Sequence, residues 1–509
     1  MKGKTALLCC LYTIVMYEKL LKTVSELGSP SVLVVGDFML DIYVYGDALR
    51  ISPEAPVPVL KVTRTEYRCG GAGSVAADIA ALGAKAFCLG IVGSDKNSEI
   101  LKIKVSETKA DISGFIEVTD RPTISKQRLI GLAQHRHQQQ LFRMDEESTE
   151  PLSENQYEKI LQVYEERLRN VDVVCLQDYN KGMLDNSLCK RMIQSAVKLN
   201  KKILVDPSPT SDYSKYAGAT VITPNRQEAS LAVGFEITDE KSASKAASRL
   251  LNTLNLKAVV ITLDKEGAYL KTKDIARIIP TRPRSVYDVT GAGDMVLAVL
   301  ATVLASGGDY ETAVNLSNIA GGIEVEKFGT ATVSKEEIVA EIVSQNRINT
   351  GKVRLIDSLT TELSWHRRDN RTIVFTNGCF DVLHRGHIEY LKFCKSLGDI
   401  VVVGLNSDDS VKRIKGPERP INNQNARAAV LSALEMVDYI VIFDEPDPLE
   451  LIKKVRPDIL VKGQDWETKG VIGREFVESH GGKVVLAQLV EGESSTATIE
   501  KMKSLKAKS

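Results

Sequence analysis

Two of the six histidines in this 509-residue chain, His384 and His387, stand three positions apart between a predicted strand and a predicted helix. The apolar run 372–375 before them predicts a buried strand, and the spacing of Ile388 and Leu391 after them predicts a helix. A helix start offers free N–H groups and the positive end of the helix dipole, which suits phosphate. Two imidazoles there can donate hydrogen bonds to the phosphates of a nucleotide, although they could also merely cap the helix.

The tetrapeptide His384-Arg385-Gly386-His387 resembles the HxGH signature of the nucleotidylyltransferases, which join a nucleotide to a phosphorylated small molecule and release pyrophosphate. The resemblance implies that both histidines stabilise the reacting phosphates. HxGH does not choose between ATP and CTP, so both nucleotides stay open at this point. The further candidates for nucleotide binding are Asn377, Gly378, Phe380, Lys412, Lys415, Arg419, Ser495 and Thr496.

A second predicted phosphate site lies in the segment 288–294, directly before another apolar helical pattern. The small residues Gly291, Ala292 and Gly293 let backbone N–H groups converge on an oxyanion at the helix start. Asp294 in the first helical turn can accept the proton of a hydroxyl that attacks a γ-phosphate. Its alternative role is only to favour the helix dipole.

The pattern Asp-x-Thr-Gly-Ala-Gly-Asp at 288–294 resembles the signature of the ribokinase-like (PfkB) carbohydrate kinases, and other segments follow in that family's order. The resemblance implies that Asp294 is the catalytic base and that Glu228 holds Mg²⁺, directly or through water, because Mg²⁺ prefers oxygen ligands. The implied nucleotide-binding residues are Asn225, Arg226, Gln227 and Glu228. The implied sugar-binding residues are Asp37, Asp41, Gly70, Gly71 and Ser74, with Arg143, Asp178 and Lys181 as candidates for holding the substrate's phosphate end or closing the site.

One competing motif is rejected. Gly71-x-Gly73-x-x-Ala76 fits the dinucleotide fingerprint GxGxxA. That fingerprint needs a buried strand immediately before it, and residues 61–68 are largely polar. We therefore expect no nicotinamide site there.

Composition limits the partners. Lysines and arginines number 66, as do aspartates and glutamates, so no general field attracts nucleic acid or an anionic membrane. The eight cysteines contain no CxxC pair, which favours reduced thiols in a cytoplasmic protein. No apolar run approaches the ~18 residues that would span a bilayer.

The first residues combine Lys2 and Lys4 with an apolar stretch from 6 to 16, as a signal peptide does. No small-x-small cleavage site follows, and the pattern of Glu18 and Lys19 is amphipathic. We expect a helical extension, or translation that begins at Met16, with secretion as the alternative.

Alternating strand and helix patterns predict mainly parallel sheets covered on both faces. The segment 42–68 predicts an antiparallel flap, to which a second piece from about 116 to 142 is added. The predicted strands are 32–35, 86–92, 171–176, 203–205, 221–223 and 258–263, with helices at 188–199 and 241–254 among those between them.

The expected fold class is α/β: a ribokinase-like three-layer domain with a small β flap, followed by a Rossmann-like nucleotidylyltransferase α/β domain. The polar stretch 345–352 predicts an interdomain linker. The predicted divisions are 1–30 (extension), 31–344 (kinase), 345–371 (linker and lead-in helix) and 372–509 (nucleotidylyltransferase).

This fusion resembles the family of bifunctional heptose enzymes of lipopolysaccharide precursor synthesis. The resemblance implies that ATP phosphorylates D-glycero-β-D-manno-heptose 7-phosphate at O1, that a separate phosphatase removes the 7-phosphate, and that ATP then adenylylates the 1-phosphate to ADP-heptose. It also implies a homodimer through the kinase domains. Ser74, Asp78, Gln464 and Trp466 depart from the family pattern. Two alternatives stay open: a kinase for another sugar phosphate fused to a cytidylyltransferase, and a kinase-like half kept only for binding or dimerisation.

Overall fold

The computed structural model of the chain describes residues 16–132, 139–282, 284, 291–327, 329 and 331–488. The fold forms two compact units that divide between Ile342 and Val343. Each unit carries its own sheet and its own buried core.

The first unit contains thirteen strands among its described residues. In chain order they are β1 (Ser31–Gly36), β2 (Phe38–Ile51), β3 (Pro58–Gly71), β4 (Lys85–Gly93), β5 (Asp111–Val118), β6 (Ser125–Leu132), β7 (Gln139–Glu146), β8 (Val173–Gln177), β9 (Lys202–Asp206), β10 (Val221–Ile222), β11 (Ala258–Thr262), β12 (Ala268–Lys271) and β13 (Ala276–Ile279).

Ten helices accompany these strands. They are α1 (residues 16–25), α2 (Ala72–Ala81), α3 (Lys96–Glu107), α4 (Glu154–Leu168), α5 (Asn186–Lys198), α6 (Arg226–Val233), α7 (Glu240–Thr253), α8 (Ala292–Ala305), α9 (Tyr310–Glu324) and α10 (Lys335–Thr350).

Nine strands form the main sheet in the order β13-β12-β11-β10-β9-β8-β1-β4-β5. The seven strands from β11 to β5 in this order pair in parallel, and β12 and β13 extend the sheet antiparallel. All six predicted strands are confirmed, with ends that shift by no more than two residues. The chain leaves β1 towards β4 and later returns on the other side as β8. The sheet therefore has a topological switch point between β1 and β8, where α/β folds place ligands.

Helices cover both faces of this sheet, which confirms the predicted three-layer class. One large core cluster lies under α4, α5 and α7, with Leu33 and Val35 of β1 among its members. The helices α2 and α8 contact each other and β1. The alternating side chains Val32 and Val34 are also fully buried, as expected of a strand with both faces covered.

The flap is a separate four-stranded sheet in the order β3-β2-β6-β7. The strands β2 and β3 pair antiparallel as predicted, but β2 pairs with β6 in parallel, so the flap is mixed. The prediction that flap residues begin near 116 was wrong, because residues 116–118 end β5 of the main sheet. Those residues alternate around Ile116 and Val118, which pack in the core beneath α4.

Residues 16–30 pack on the first unit instead of standing apart from it. Leu21 and Val24 of α1 are buried, as the amphipathic pattern predicts for one face of a helix. On its polar side Lys19 pairs with Asp309 at 2.8 Å. The rest of the predicted extension, residues 1–15, lies outside the described residues.

The second unit holds one five-stranded parallel sheet in the order β16-β15-β14-β17-β18. Its strands are β14 (Ile373–Gly378), β15 (Ile400–Asn406), β16 (Tyr439–Phe443), β17 (Ile459–Gly463) and β18 (Lys483–Ala487). Its helices are α11 (Ile356–Arg368), α12 (Arg385–Ser396), α13 (Asp408–Lys415), α14 (Gln424–Ser432), α15 (Leu449–Val455) and α16 (Arg474–Ser479). The chain runs from β14 outwards to β16 and then returns to β17, so the switch point lies between β14 and β17.

The predicted polar linker differs from the structure. Residues 345–350 continue helix α10, and the helix stops before Gly351, whose φ is 70°. Polar side chains do not end a helix when neither glycine nor proline interrupts them, whereas glycine tolerates the left-handed conformation that terminates one. The predicted lead-in helix is α11.

Two further observations concern the described residues alone. None of the helices described there has the length and apolar character needed to cross a bilayer. The six cysteines in the described segments are free thiols, five of them buried.

Candidate active sites

The switch point of the first unit brings the ends of β1 and β8 into close contact. A Cβ at Gly36 would overlap the carbonyl oxygen of Gln177, so only glycine permits this approach. The next residue, Asp37, follows at the carboxyl edge of the sheet. Its carboxylate accepts hydrogen bonds from the N–H groups of Tyr179 (2.9 Å) and Lys181 (3.2 Å). Burial, followed by the charge of Asp178, raises the pKa of Asp37 to about 7.

Asp294 lies beside this edge in the first turn of α8. Its Oδ1 accepts hydrogen bonds from Gln177 Nε2 (2.9 Å) and from the Tyr179 hydroxyl (3.0 Å). The same Gln177 amide donates to Asp206 Oδ2 at 2.8 Å. Burial, and then the charge of Asp206, raise the pKa of Asp294 well above its ordinary value.

The helix before Asp294 starts as the sequence predicts. Gly291 has a φ of 98° and precedes α8, so its left-handed conformation sets the direction of the first turn. Gly293 stands next to the site, because a Cβ there would lie 3.9 Å from Asp206 Oδ2. Residues 288–290 of the signature lie outside the described residues, and Ala292 is the first helical residue.

The segment from Asn225 to Glu228 forms a capping box at the start of α6. The Asn225 side chain accepts from the Glu228 N–H (2.9 Å), and Glu228 Oε2 accepts from the Asn225 N–H (2.8 Å). Burial, and then the charge of Asp206, raise the pKa of Glu228 to about 7. The charge of Asp206 therefore acts on Glu228, and the same Asp206 accepts a hydrogen bond from Gln177.

The two residues between them lie differently. Arg226 pairs with Asp264 (3.1 Å) and Glu266 (3.0 Å), in the loop that follows β11. Gln227 is exposed. The described contacts place neither side chain against Asp294 or Asp37.

The residues predicted to bind the sugar through the flap lie at its base. Asp41 is buried and pairs with Arg128 at 2.5 Å. A Cβ at Gly70 would lie 2.7 Å from Asp41 Oδ2, and one at Gly71 would lie 3.2 Å from the Tyr179 ring. The base of the flap therefore lies next to Tyr179, whose N–H donates to Asp37. Ser74 is also buried, where its hydroxyl donates to the Cys69 carbonyl at 3.0 Å.

Three predicted substrate residues have other partners. Asp178 binds Lys215 (2.5 Å) and the Tyr216 hydroxyl (2.7 Å), which makes it a support beneath the site. Arg143 is half exposed and pairs with Asp145 on its own strand. The Lys181 ammonium pairs with Glu147 at 2.6 Å.

Lys181 nevertheless lines a small pocket together with Asp37 and Arg121. Arg121 was not among the predicted residues. Its Nη2 donates to the carbonyls of Glu150 and Pro151, and its position between β5 and β6 gave no motif to follow.

The second site begins at the carboxyl end of β14. Asn377 Oδ1 accepts a hydrogen bond from Lys462 Nζ of β17 at 2.6 Å, across the switch point. Gly378 follows, and a Cβ added there would lie 3.1 Å from the Phe380 ring. Phe380 itself has a φ of 46°, and its ring packs 5.3 Å from that of His387.

The two histidines form the start of α12. His384 is the N-cap residue, and its N–H donates to His387 Nδ1 at 3.4 Å, with ring centroids 4.0 Å apart. Burial, and then the charge of His384, lower the pKa of His387 to about 4. His387 is therefore neutral near pH 7. Because its Nδ1 accepts, we assign the ring proton to Nε2, where it can be donated to a phosphate.

Cations surround the turn after β14. Arg419 pairs with Asp381 at 2.5 Å. Burial raises the pKa of the Cys379 thiol, and the charge of the nearby Lys415 opposes this effect. Lys412 instead pairs with Asp409 at 2.9 Å on an exposed surface of α13. Ser495 and Thr496 lie outside the described residues.

One further cation lies beside this turn. Arg427 is fully buried, pairs with Asp408 (2.7 Å) and donates to the Cys379 carbonyl (2.6 Å). It thereby ties α14 and α13 to the turn that carries the site.

Comparison with protein families matches both halves of the chain. A model described as pfkB family carbohydrate kinase matches residues 29–337, and one described as Cytidylyltransferase-like matches residues 375–497.

Full-length relatives share both halves. The chain is 45% identical over 471 residues to the bifunctional protein HldE of Geobacter metallireducens, with 92% of this chain and 95% of that protein covered. It is 44% identical over 475 residues to the protein of the same name from Campylobacter curvus, covering 93% and 98%.

Among solved structures, phosphofructokinase-2 from Escherichia coli in complex with substrates and products matches with a TM-score of 0.52 at 20% identity. It covers 63% of this chain and 100% of its own. A putative sugar kinase from Clostridium perfringens matches with a TM-score of 0.51 at 18% identity, covering 62% and 96%. These likenesses show the fold of the first unit.

Proposed function

The chain belongs to the family of the bifunctional protein HldE, and from that premise we propose how its residues divide two reactions between two sites. The enzyme uses ATP to phosphorylate D-glycero-β-D-manno-heptose 7-phosphate at O1. It also transfers the adenylyl group of ATP to D-glycero-β-D-manno-heptose 1-phosphate, which gives ADP-heptose and pyrophosphate. The observation that carries the division is that each unit has its own switch-point site.

In the kinase site, Asp294 is the proposed base. Gln177 and Tyr179 both donate to Oδ1, which leaves Oδ2 to accept the proton of the O1 hydroxyl. The raised pKa of Asp294 makes it a stronger proton acceptor than an exposed carboxylate. As the proton moves, O1 bonds to the γ-phosphorus, the bond to the β,γ-bridging oxygen breaks, and ADP leaves.

Backbone and flap groups position the reactants. The backbone N–H groups of Gly291–Gly293 lie at the start of α8, where they can hold the transferring phosphoryl group. Asp37 and the base of the flap, at Gly70 and Gly71, hold the sugar hydroxyls. Holding the attacking hydroxyl in line with the phosphorus supplies much of the rate enhancement in an enzymatic transfer of this kind.

The acidic residues beside the nucleotide site fit a magnesium ion. Asp206 and Glu228 interact electrostatically, and burial raises the pKa of Asp206 to about 6 and of Glu228 to about 7. Two partly buried carboxylates with raised pKa values are suited to a divalent cation, which prefers oxygen ligands. When bound, Mg²⁺ neutralises phosphate charge in phosphoryl transfer.

In the second site, the histidines and the start of α12 hold the phosphates of ATP. A phosphate oxygen of the sugar attacks the α-phosphorus, and the bond to the α,β-bridging oxygen breaks to release pyrophosphate. His387 donates from Nε2 as charge grows on the phosphate oxygens, and the His384 ring lies beside it at a tilt of 40°. Arg419 pairs with Asp381 through Nε, and its other guanidinium N–H groups can donate to a phosphate near the turn.

The flap also supports a homodimer formed through the kinase units. Several of its apolar side chains are exposed: Leu49, Ile51, Val62, Leu141, Phe142 and Met144. Exposed apolar residues gathered on one small sheet are typical of a contact surface. We also propose a cytoplasmic location, which the free thiols and the use of ATP support.

Product analysis tests this function. The full chain is incubated with ATP, Mg²⁺ and heptose 7-phosphate, with and without a phosphatase, and the products are measured by mass spectrometry. We expect the 1,7-bisphosphate without the phosphatase and ADP-heptose with it. A parallel incubation with heptose 1-phosphate and CTP tests the nucleotide, and turnover with CTP alone would contradict the adenylyl assignment.

A further inference from the structure

The side chain of Lys462 occupies the switch point of the second unit. It projects from the carboxyl end of β17, and Nζ donates to Asn377 Oδ1 of β14 at 2.6 Å. The residue is 5% exposed, and its ammonium lies 5.0 Å from the centre of the Trp466 ring. Lys462 thus contacts the end of β14, from which the chain continues into the turn that carries His384 and His387.

The charge of Lys462 is not balanced by a carboxylate in the part of the chain that the structure describes. No ion pair of 4.0 Å or less reaches Nζ there, and the hydrogen-bond partner is the neutral amide of Asn377. Asp465, which follows β17, pairs with the exposed Lys469 at 3.4 Å. Burial lowers the pKa of Lys462 to about 8, against the opposing charge of Asp465. A buried ammonium with no carboxylate in contact is unfavourable unless an anion completes the site.

Neighbouring cations differ in this respect. Arg419 is paired with Asp381, and Arg427 is paired with Asp408. An ammonium has three donors, so one can remain on Asn377 while two face an incoming group. Lys462 is therefore the buried cation of this site whose charge a ligand can complete.

We propose that Lys462 is a catalytic residue of adenylyl transfer that donates to a non-bridging phosphate oxygen of the reacting pair. This inference rests on the function proposed above for the second unit. The phosphate belongs either to the attacking sugar 1-phosphate or to the α-phosphate of ATP. In both cases no proton needs to move: the ammonium stabilises charge on phosphate oxygens while the new P–O bond forms and pyrophosphate leaves.

The test compares Lys462→Met with Lys469→Met in the full chain. Both lysines lie over the Trp466 ring, but Lys469 is largely exposed. With ATP and heptose 1-phosphate as substrates, we expect Lys462→Met to lose at least 100-fold in kcat/KM. We expect Lys469→Met to stay within twofold of the wild type. Retention of activity within threefold by Lys462→Met would overturn the proposal.

The kinetic constants separate the two sources of phosphate. A tenfold or larger rise in KM for heptose 1-phosphate would assign Lys462 to the attacking phosphate. A fall in kcat with both KM values unchanged would assign it to the α-phosphate as charge develops there.

Thermal unfolding distinguishes this role from a structural one. Because methionine removes an unbalanced buried charge, we expect the Tm of Lys462→Met to equal or exceed that of the wild type. Lys462→Gln, which can still donate to Asn377, is the second variant. Loss of transfer together with a lower Tm in both variants would make Lys462 structural and overturn the proposal. A wild-type enzyme that makes no ADP-heptose would instead contradict the function of the unit itself.

Discussion

At the scale of single residues, the proposed kinase site gathers four carboxyl groups, two of them buried (Asp37 and Asp294) and two partly buried (Asp206 and Glu228). Asp37, Asp206, Glu228 and Asp294 all have raised pKa values, with burial as the largest cause. Perturbed groups of this kind concentrate at functional sites, because they are kept for chemistry and not for stability. We therefore expect these carboxyl groups to lower the free energy of unfolding of the ligand-free kinase unit.

Asp37→Asn tests that cost through its pH dependence. The folded pKa of about 7 lies above the ordinary value of 3.8, so the folded state binds this proton more tightly than the unfolded state. Stability from Asp37 is therefore present at low pH and is lost as the pH rises towards about 7 and beyond. We expect the free energy of unfolding of the variant, relative to the wild type, to increase by about 2–3 kcal/mol between pH 5 and pH 8.

The measurement is chemical denaturation of the ligand-free proteins at both pH values. The kinase activity of the variant is measured in parallel and should fall, since Asp37 is proposed to hold the sugar. An equal difference in stability at pH 5 and pH 8 would show that Asp37 does not carry the raised pKa.

The sequence reveals some of these residues and hides others for a physical reason. Asp294 is visible because glycines and a helix start surround it within seven residues. Gln177 and Tyr179 are invisible as partners of Asp294, because their contact crosses from β8 to α8 over more than a hundred residues. Lys462 is hidden similarly, since it meets Asn377 only once β17 lies beside β14.

At the scale of elements, both sites occupy the same topological position. In the first unit the switch point lies between β1 and β8, beside Asp37, and in the second it lies between β14 and β17, beside Asn377. Each is accompanied by the start of a helix, α8 or α12, that carries the residues proposed to react. We therefore expect both reactions to depend on how closely the two strand ends approach.

Gly36→Ala tests that dependence in the first unit. The added Cβ would overlap the Gln177 carbonyl and push β1 away from β8. We expect a loss of stability of about 2–4 kcal/mol, in the range of strained core substitutions, and a loss of kinase activity. Differential scanning calorimetry and a kinase assay measure the two effects.

Gly321→Ala in α9 is the matched control. Apart from its chain neighbours and its own helix backbone, none of the described residues places an atom within 4 Å of the added Cβ, and the backbone is helical. Alanine in a helix should leave stability unchanged or raise it by about 0.5–1 kcal/mol. Equal effects of both substitutions would contradict the role of the close approach at Gly36.

Element existence was easier to predict than element pairing. Alternating apolar runs are enough to locate the parallel strands of the main sheet. The pairing of β2 with β6 is not local, because it depends on where the chain returns after β5. The helix through residues 345–350 was predictable in principle, since Gly351 is the first residue there that favours a helix end.

At the scale of the whole molecule, the chain carries two units that each bury a core, which allows each reaction to be studied without the other. The family resemblance predicted the two activities, and the comparisons confirmed them. The assignment of individual residues to steps stays a prediction.

Phe142→Asp tests the proposed dimer. Phe142 is 59% exposed on β7 of the flap, and a charge there should separate two apolar surfaces. We expect a dimer for the wild type and a monomer for the variant by size-exclusion chromatography with light scattering. Val197→Asp, at a residue 53% exposed on α5, should leave the dimer intact. A wild-type monomer, or a dimer in both variants, would contradict the assignment.

The most direct test of two independent sites is complementation between single-site variants. Asp294→Asn is expected to lose the kinase step by about 10²–10⁴-fold, as removal of a general base does. His387→Asn is expected to lose adenylyl transfer. Given heptose 7-phosphate, ATP, Mg²⁺ and a phosphatase, neither variant alone should form ADP-heptose at a wild-type rate, whereas an equimolar mixture should. Failure of the mixture, or full product formation by either variant alone, would contradict the account.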